Sequence, residues 1–410
     1  MAMRVGSPAE FATWLDSRGA DERLYEDAVR PILADVEREG DVALARYAAQ
    51  FGDPTPRWVS DEEIASAQVS PELEAVLEAA GAHIRAYAER QLPVEWSAEA
   101  PYGGAVGQIV RPLDAVGCYV PAGRYPLPST VLMTAIPAQV AGVQRIVVTC
   151  PNPTPEVLAA VRRVPGVRVF RAGGAQAVAA LAFGTEALPR VDMIVGPGNA
   201  YVAAAKRLVS GRVAIEFSAG PSEVMVVALG AADARWVAAD LLAQAEHDPE
   251  ATAVFVTSDP QFAAIVQAEV ERQLADLPTA ETARAALNRH GWIVVAGRDA
   301  AFDLINAMAP EHLCLYEPEL LPWVRHAGSI FLGPCAVEAA GDYATGPNHT
   351  LPTGGVARRR GGLSSADFVK LISTQSLGKR ALAALAPTVT ALARAEGLEA
   401  HARSVEVRLG

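Results

Sequence analysis

The chain alternates two kinds of segment from about residue 145 onward: short runs of β-branched and other apolar residues, and alanine-rich stretches with apolar residues at helical spacing. Strands that are separated by helices form parallel sheets, and helices then cover both faces of each sheet. The alternation therefore predicts an α/β fold. The predicted strands are Arg145–Cys150, Val167–Arg171, Val191–Val195, Val213–Phe217, Val224–Val227, Ala253–Thr257 and Trp292–Ala296.

The segments on either side of this region follow other patterns. Residues 28–51 and 71–91 carry apolar residues at helical spacing, and a Pro/Gly-rich stretch follows them at 93–107. Residues 341–362 contain six Gly and two Pro. A connection of this length without regular structure is uncommon, so a functional loop is predicted there. No run of residues typical of a strand follows Gly341, and residues 366–400 are predicted to form a helical tail.

Charge and cysteine content exclude several classes of protein. The 410 residues carry 35 Lys+Arg against 47 Asp+Glu, so the net charge of −12 offers no basic surplus for binding nucleic acid or an anionic membrane. The apolar runs are far shorter than the roughly 18 residues of a membrane-spanning helix. Glu10 and Asp16 interrupt any apolar run near the start, so the segment matches neither a secretory signal nor an acid-poor transit peptide. This predicts a cytoplasmic protein. The four cysteines show no C-x-x-C spacing, which argues against a thiolate zinc site.

Two glycine turns follow predicted strands, one at residues 173–176 and one at 196–200. A turn between a strand and a helix can direct backbone N–H groups at an anion. Glu216 follows the second turn by about 20 residues, where a dinucleotide fold places its ribose-binding acid. The third glycine of that fingerprint is missing because position 201 is Tyr, so a purely structural turn is an equal alternative.

Gln244 and His247 stand at the end of a long apolar helix that starts near Ala232. Residues three apart lie on one helix face, so both side chains can reach one ligand, including a metal ion. A Gln carbonyl is not a usual zinc ligand, and a helix end that meets solvent is the alternative.

Glu311 and His312 open an apolar strand, and a carboxylate beside an imidazole suits acid–base chemistry near neutral pH. A surface turn is the alternative. Asp342 and His349, seven apart in the glycine-rich loop, could reach a shared site or could serve only as turn residues.

Glu396 and His401 lie five apart near the end of the chain, and solvated positions are the ordinary expectation for them.

Two other classes of protein are alternatives to an α/β enzyme with a Glu–His acid–base pair. A metal-free two-lobed binding protein would need no Glu–His pair, and a zinc hydrolase is disfavoured because no H-E-x-x-H helix exists.

Seven stretches carry a family resemblance in a fixed order: Val116–Pro121, Gly173–Gly184, Gly196–Tyr201, Ala219–Glu223, Gln244–Asp248, Pro310–Leu313 and Gly341–Gly355. With these motifs the chain resembles the histidinol dehydrogenases, over roughly residues 31–408. The resemblance implies an NAD-dependent enzyme that oxidises L-histidinol through L-histidinal to L-histidine, the last step of histidine biosynthesis, with two NAD⁺ and one zinc ion per site.

The resemblance also assigns residues to roles. Glu311 and His312 would be catalytic, with His312 taking the hydroxyl proton and Glu311 activating water. The implied zinc ligands are Gln244, His247, Asp342 and His401. The implied substrate-binding residues are Ser222, Gln244, His247, His312, Asp342, His349, Glu396 and His401. The implied cofactor contacts are Tyr119, Gln176 and Asn199. Cys314 is interpreted as core packing, because this scheme needs no thiol.

The expected architecture is two Rossmann-like parallel-sheet domains, one inserted in the other, with a helical N-terminal region and a helical tail. Residues 1–118 and 223–363 would form the first domain, 119–222 the inserted domain, and 364–410 the tail. The resemblance implies a homodimer whose tails cross, so that Glu396 and His401 serve the partner's site, and a small amino alcohol as substrate.

Some segments depart from the family pattern, namely Arg358–Gly362, Cys335–Val337 and Gly123–Leu127. The last is similar to paralogues that oxidise other diols, including a sulfonated propanediol. An NAD-dependent dehydrogenase of such a diol is therefore the alternative function, while Glu396 and His401 favour histidinol.

Overall fold

A computed structural model describes residues 3–18, 22–122, 126–217 and 220–410. Residues 123–125, which belong to one of the departing segments, and Ala219 of the fourth motif lie outside the described residues. Within the described ranges, no helix is both long and apolar enough to cross a membrane.

The strands and helices alternate through most of the chain. The strands are β1 (Arg4–Gly6), β2 (Arg57–Trp58), β3 (Trp96–Glu99), β4 (Ala105–Pro112), β5 (Ala115–Tyr119), β6 (Arg145–Thr149), β7 (Val167–Arg171), β8 (Met193–Val195), β9 (Ala214–Ile215), β10 (Glu223–Val227), β11 (Thr252–Thr257), β12 (Gly291–Val295), β13 (His312–Leu315), β14 (Ser329–Leu332) and β15 (Val369–Ser376). The helices are α1 (Pro8–Ser17), α2 (Glu22–Glu39), α3 (Asp41–Phe51), α4 (Asp61–Ser66), α5 (Pro71–Gln91), α6 (Pro128–Val140), α7 (Pro155–Arg162), α8 (Gly174–Phe183), α9 (Ala200–Val209), α10 (Ala234–Ala245), α11 (Pro260–Leu274), α12 (Ala280–His290), α13 (Arg298–Met308), α14 (Glu338–Tyr343), α15 (Lys379–Ala395) and α16 (Glu399–Leu409).

Two six-stranded sheets organise the described chain and confirm the predicted α/β class. Sheet I has the order β1-β12-β11-β10-β13-β14 and is parallel throughout. Sheet II has the order β2-β7-β6-β5-β8-β9, parallel except for the β2–β7 pair. The five consecutive strands from β10 and those from β5 both follow the 3-2-1-4-5 order of a Rossmann sheet.

Both sheets are covered on each side by apolar clusters, as the continuous apolar strand pattern requires. All five residues of β10 are buried, and so are all six of β11. The helices α10, α11 and α12 pack on one face of sheet I, and α1 and α13 pack on the other. Sheet II has α6 and α7 on one face and α8 and α9 on the other.

Helices α2 and α5 belong with sheet II, which corrects their expected grouping with the segment after residue 222, whereas α1 packs on sheet I as that grouping predicts. The apolar face of α2, which includes Val29, Leu33 and Val36, is buried against α8 and α9. Helix α5 packs in the same way on α6. The reason is geometric, because the chain enters sheet II through β5 at Ala115, soon after α5 ends at Gln91, whereas β10 begins only at Glu223. The exact domain boundaries stay a prediction.

Two stretches predicted without strands contribute to a third sheet with the antiparallel order β15-β4-β3. The Pro/Gly-rich stretch at 93–107 forms β3 and the start of β4, and the beginning of the predicted helical tail forms β15. The eight residues of β15 include Leu371 and Ile372, which are largely exposed. The second half of β15 is entirely polar, so the segment carries no regular alternation that would indicate a strand. The later part of the tail forms the helices α15 and α16.

Candidate active site

Glu311 and His312 lie at the amino end of β13, in the middle of sheet I. The chain reaches this point through Ala309, which ends α13 with a left-handed φ of 48° and is fully buried. A non-glycine residue with positive φ is uncommon and marks a backbone that its surroundings hold in place. The turn brings both side chains into the interior, where Glu311 is 5% and His312 is 4% exposed. The surface-turn alternative is therefore wrong.

Three carboxylates surround the His312 ring. Its Nδ1 atom lies 3.6 Å from Glu338 Oε1 and 3.8 Å from Glu311 Oε2, and its Nε2 atom lies 3.6 Å from Asp342 Oδ1. The Nδ1 atom is also 3.2 Å from the carbonyl oxygen of Glu223, which fits an Nδ1–H that donates to this carbonyl. The ring is thus oriented from both nitrogens.

This cluster has perturbed pKa values. Burial raises the pKa of Glu311 to about 7, against the opposing charge of His312. Burial likewise raises the pKa of Glu338. For His312, burial favours the neutral ring, but the charges of Glu338 and Glu311 outweigh it and raise the pKa. Interacting groups of this kind titrate together, so the cluster as a whole holds protons near neutral pH and can exchange them with a bound substrate.

The Glu311 carboxylate is fixed by the neighbouring strand. The backbone N–H of Glu223, at the start of β10, donates to Glu311 Oε2 over 2.8 Å. The Glu223 side chain is itself buried and forms an ion pair with Arg18 at 2.5 Å. The Glu311 carboxylate is therefore held at β10 by one of its two oxygens, Oε2.

Glu338 and Glu223 were missed by the sequence analysis. Glu338 precedes Asp342 by four residues on α14, and this spacing places both carboxylates on one helix face. The spacing was a usable signal, but α14 lies in a segment predicted as a loop. Glu223 carries no such signal, because it lies inside an apolar strand.

Gln244 shows the clearest sign of a missing ligand. Its side chain is fully buried near the end of α10, yet neither its amide oxygen nor its amide nitrogen has a hydrogen-bond partner among the residues that the structure describes. A buried amide without partners costs free energy, so native proteins seldom leave one unpaired unless it has another role. Helix α10 packs against α14, which carries Asp342. The alternative of a solvated helix end is wrong for Gln244, while His247 is exposed.

Asp342 is surrounded by imidazoles. Burial opposes ionisation of its carboxyl, but the hydrogen bond with His312 and the charges of His312, His349 and His247 hold its pKa below the ordinary value. The Nδ1 atom of His349 lies 3.0 Å from the Asp342 carbonyl oxygen. Gln244, His247, Asp342 and His349 thus gather at one place.

The described residues contain no preassembled group of three or more His, Cys, Asp or Glu with metal-binding geometry. The predicted ligands would not make such a group within a single chain, because Gln244 is not one of these residue types. Another member, His401, lies with Glu396 in the hairpin of α15 and α16. Both residues are exposed, and in the described chain neither forms a hydrogen bond or an ion pair with a residue of the Glu311–His312 cluster.

A cavity of about 320 Å³ opens beside the cluster. Its lining includes His312, Phe331, Asp342, His349 and Leu351. Ser222 lies half-buried at the amino end of β10, next to β13. The site is therefore at the amino ends of the sheet I strands.

The expected cofactor contacts lie at the carboxyl edge of sheet II. Tyr119 ends β5, and its hydroxyl oxygen accepts a hydrogen bond from the Gly174 N–H at 3.0 Å. Gln176 is buried in the first turn of α8, with its Oε1 unpartnered. Asn199 is exposed and caps α9 by accepting from the N–H groups of Tyr201 and Val202.

The turn at Gly196 depends on glycine. A Cβ at this position would lie 2.2 Å from the Tyr119 carbonyl oxygen, and φ is 114°. Glu216, considered as a ribose-binding acid, instead serves this turn: its Oε1 accepts from the Gly196 N–H at 2.9 Å and from Lys206 Nζ at 2.5 Å. Both side chains are buried, so Glu216 is unavailable to a cofactor.

Two arginines of the departing segment Arg358–Gly362 form contacts with residues outside the Glu311–His312 cluster. Arg358 donates to the Asn306 carbonyl oxygen, and Arg360 pairs with Asp367 at 2.7 Å and lies over the Phe217 ring. Arg360 also donates to the Glu216 carbonyl oxygen. These contacts assign Arg358 and Arg360 to the packing of the glycine-rich loop.

Asp240, a half-buried acid near the cluster, gives a prediction about stability. Burial raises the pKa of Asp240 to about 6, although the Tyr316 hydroxyl donates to its Oδ2 at 3.1 Å. An acid whose pKa is raised by folding destabilises the folded state once pH exceeds the unfolded pKa, and the cost is complete above the folded pKa.

Asp240→Asn is therefore expected to raise the free energy of unfolding by about 1–3 kcal/mol above pH 7, and the gain should fade as pH falls toward 4. Urea unfolding of variant and wild type at pH 7.5 and 4.5 measures both values. Equal differences at the two pH values would contradict the assignment.

The two Rossmann-type sheets and the buried Glu–His cluster define the class: an α/β enzyme with an acid–base site. The family model described as histidinol dehydrogenase matches residues 15–409. The histidinol dehydrogenase of Gluconobacter oxydans is 46% identical over 99% of this chain and 97% of its own length, and that of Rhizobium meliloti is 48% identical over 98% and 95%. The crystal structure of histidinol dehydrogenase from Elizabethkingia anophelis superimposes with a TM-score of 0.93 at 36% identity, covering 99% of this chain and 97% of that one. The chain belongs to the histidinol dehydrogenase family, which makes it an oxidoreductase.

Proposed function

We propose that this protein oxidises L-histidinol through L-histidinal to L-histidine, as a zinc- and NAD⁺-dependent enzyme at the end of histidine biosynthesis. The observation that carries the proposal is the buried His312 ring among three carboxylates, next to a buried Gln244 amide without partners. When bound, zinc would fix the imidazole and amino group of the substrate, and two NAD⁺ in succession would take up the four electrons.

The residues around Gln244 fit a zinc ion. Gln244, His247 and Asp342 would supply oxygen and nitrogen ligands from one chain, and His401 of a second chain would complete the protein set. The orphaned Gln244 amide and the low pKa of Asp342, which burial alone would raise, support this assignment. Mixed oxygen and nitrogen ligands suit a zinc site that keeps positions open for substrate.

His312 would take the proton from the substrate hydroxyl in the first oxidation. The charges of Glu338 and Glu311 raise the pKa of His312 against the effect of burial, which makes the ring a strong proton acceptor once it is neutral. Glu311 would activate the water that hydrates the aldehyde, since its Oε1 is the oxygen that the Glu223 N–H does not occupy. Buried carboxyls with raised pKa values suit proton transfer near neutral pH.

Ser222, His349 and Glu396 would contact the substrate, the last from the partner chain. Ser222 and His349 lie beside the cluster within one chain, at the start of β10 and on the cavity wall. Tyr119, Gln176 and Asn199 would contact the cofactor. They occupy the carboxyl edge of a Rossmann sheet, which is the usual place for a dinucleotide.

A homodimer with crossed tails would complete the site. The hairpin of α15 and α16 packs mainly on itself, and it exposes Leu392 and Val407 at 60% and 75%. Apolar side chains exposed to this degree along β15 and the hairpin favour burial against a second copy. The proposed tail, residues 364–410, is the segment that would make this exchange. The cytoplasmic location and the absence of nucleic-acid and membrane partners stay predictions.

The test is an assay of NADH formation by the purified protein. With L-histidinol and NAD⁺, we expect two NADH per histidinol consumed, loss of activity after treatment with a chelator, and recovery with Zn²⁺. A sulfonated propanediol serves as the competing substrate. NADH formation with the diol but not with histidinol would replace the proposal by the alternative function, and formation with neither would refute it.

A further inference from the structure

A second cavity, of about 350 Å³, lies at the carboxyl edge of sheet II. The segments after β5 and β6 form two of its walls, with Pro121 and Cys150 among the lining residues. Asp53, which follows α3, lies on a third wall. The cavity thus stands over strands in the first and second positions of a Rossmann sheet, where the adenosine half of a dinucleotide binds.

A Rossmann site ordinarily places an acid at the end of its second strand to bind the adenosine ribose. Here that strand is β6, and the residues after Thr149 are Cys-Pro-Asn, without an acid. Glu216, the other acid in the expected range, is committed to Lys206 and the Gly196 turn. The ribose-binding acid of this sheet must come from another segment.

Asp53 is held firmly at the cavity. Gly52 ends α3 in the left-handed conformation, and the Asp53 N–H donates to the Ala48 carbonyl oxygen at 2.8 Å. The Asp53 carboxylate accepts a long hydrogen bond of 3.4 Å from Gln176 Nε2. Gln176 is one of the expected cofactor contacts, so the acid borders the site already assigned.

The Asp53 carboxylate has no cationic partner within 4 Å among the residues that the structure describes. Burial raises its pKa, and no favourable charge offsets this effect. No Lys or Arg is among the described residues that line the cavity. A partly buried carboxylate of this kind favours neutral hydroxyl donors and repels a second anion.

We propose that Asp53 accepts a hydrogen bond from the 2′-hydroxyl of the adenosine ribose and thereby selects NAD⁺ over NADP⁺. This inference rests on the proposed function, in which NAD⁺ is the oxidant. NADP⁺ carries a phosphate at the position of that hydroxyl, so its binding would bring an anion against the carboxylate. Asp53 is a specificity-determining residue on this assignment.

The first test is direct binding without substrate, measured by the fluorescence of NADH and NADPH titrated with protein. For Asp53→Asn we expect a loss of NADH affinity of about tenfold or more, because a hydrogen bond to a charged acceptor is lost. The preference for NADH over NADPH should fall by at least a similar factor. Glu186→Gln removes the same charge at an exposed site away from the cavity, and it should change neither value.

The second test removes the hydroxyl instead of the acid. The NAD⁺ analogue with 2′-deoxyadenosine should show a KM about tenfold or more above that of NAD⁺ with the wild type. The difference should be smaller with Asp53→Asn, whose neutral amide oxygen accepts a weaker hydrogen bond from the hydroxyl. The KM for histidinol should be the same in the wild type and in Asp53→Asn. This test also uses the wild type alone, so an unstable variant would not prevent it.

The outcomes separate the two proposals. Unchanged NADH affinity and preference in a folded Asp53→Asn variant, or equal use of NAD⁺ and its 2′-deoxy analogue by the wild type, would overturn the role of Asp53 while leaving the proposed function intact. Failure of the wild type both to bind NADH and to reduce NAD⁺ with histidinol would overturn the proposed function, and the role of Asp53 with it.

Discussion

His312→Asn is expected to lower kcat for histidinol oxidation by about 10²–10⁴-fold, the usual contribution of a positioned general base. Asn fills a similar volume and can still donate to the Glu223 carbonyl oxygen, but it cannot take up a proton. Steady-state NADH formation measures the effect. NADH binding by fluorescence should be unchanged, because His312 lies in sheet I and the expected cofactor contacts lie in sheet II.

Cys314→Ser provides the matched control. Cys314 lies two residues further along the same buried strand, and burial raises the pKa of its thiol, so it is a poor nucleophile. We expect this variant to keep most of the activity. A loss comparable to that of His312→Asn would instead indicate a covalent thiohemiacetal route and would contradict the proposed roles.

Activity should return when two inactive variants share a dimer. His312→Asn and His401→Asn are each expected to be inactive, since one removes the proposed base and the other a proposed zinc ligand. If the tails cross, a mixed dimer holds one site with both defects and one intact site. With random assortment, about a quarter of all sites are intact, so co-expression should restore about a quarter of the wild-type activity.

The control pair for this experiment is His312→Asn with Asp342→Asn. Both residues lie in the body of the same chain, 3.6 Å apart between His312 Nε2 and Asp342 Oδ1, so no mixed dimer of these variants contains an intact site. Doubly tagged dimers, isolated by sequential affinity steps, confirm that mixing took place. Isolated mixed dimers of the first pair without activity would show that His401 does not serve a partner's site.

The regular part of the fold was predictable because local patterns decided it. Strand β7 and helix α5 begin and end at the predicted residues, since each is an apolar run or helical period between clear turn residues. The strands β3 and β15 were not predicted. Their residues are mostly exposed, and a strand without a buried face lacks the alternation that reveals it.

The site was predictable in part, for the same reason. Glu311 and His312 stand where a strand begins, and the structure buries both as acid–base chemistry requires. Glu338 was missed because its helix runs into the glycine-rich loop. For Glu216, the spacing left a ribose-binding acid and a structural role equally open. Only the packing shows that Glu216 neutralises the buried Lys206.

The sequence by itself determined the α/β class, the alternation of strands and helices along the chain and the motifs of the family, because these follow from local periodicity and residue type. Tertiary structure alone decided which sheet the N-terminal helices cover and that Glu338 and Asp342 approach His312 from one helix. It also decided that Asp53 borders the cavity of sheet II. These are contacts between residues far apart in the chain, and their free energy depends on burial and charge that no local pattern records.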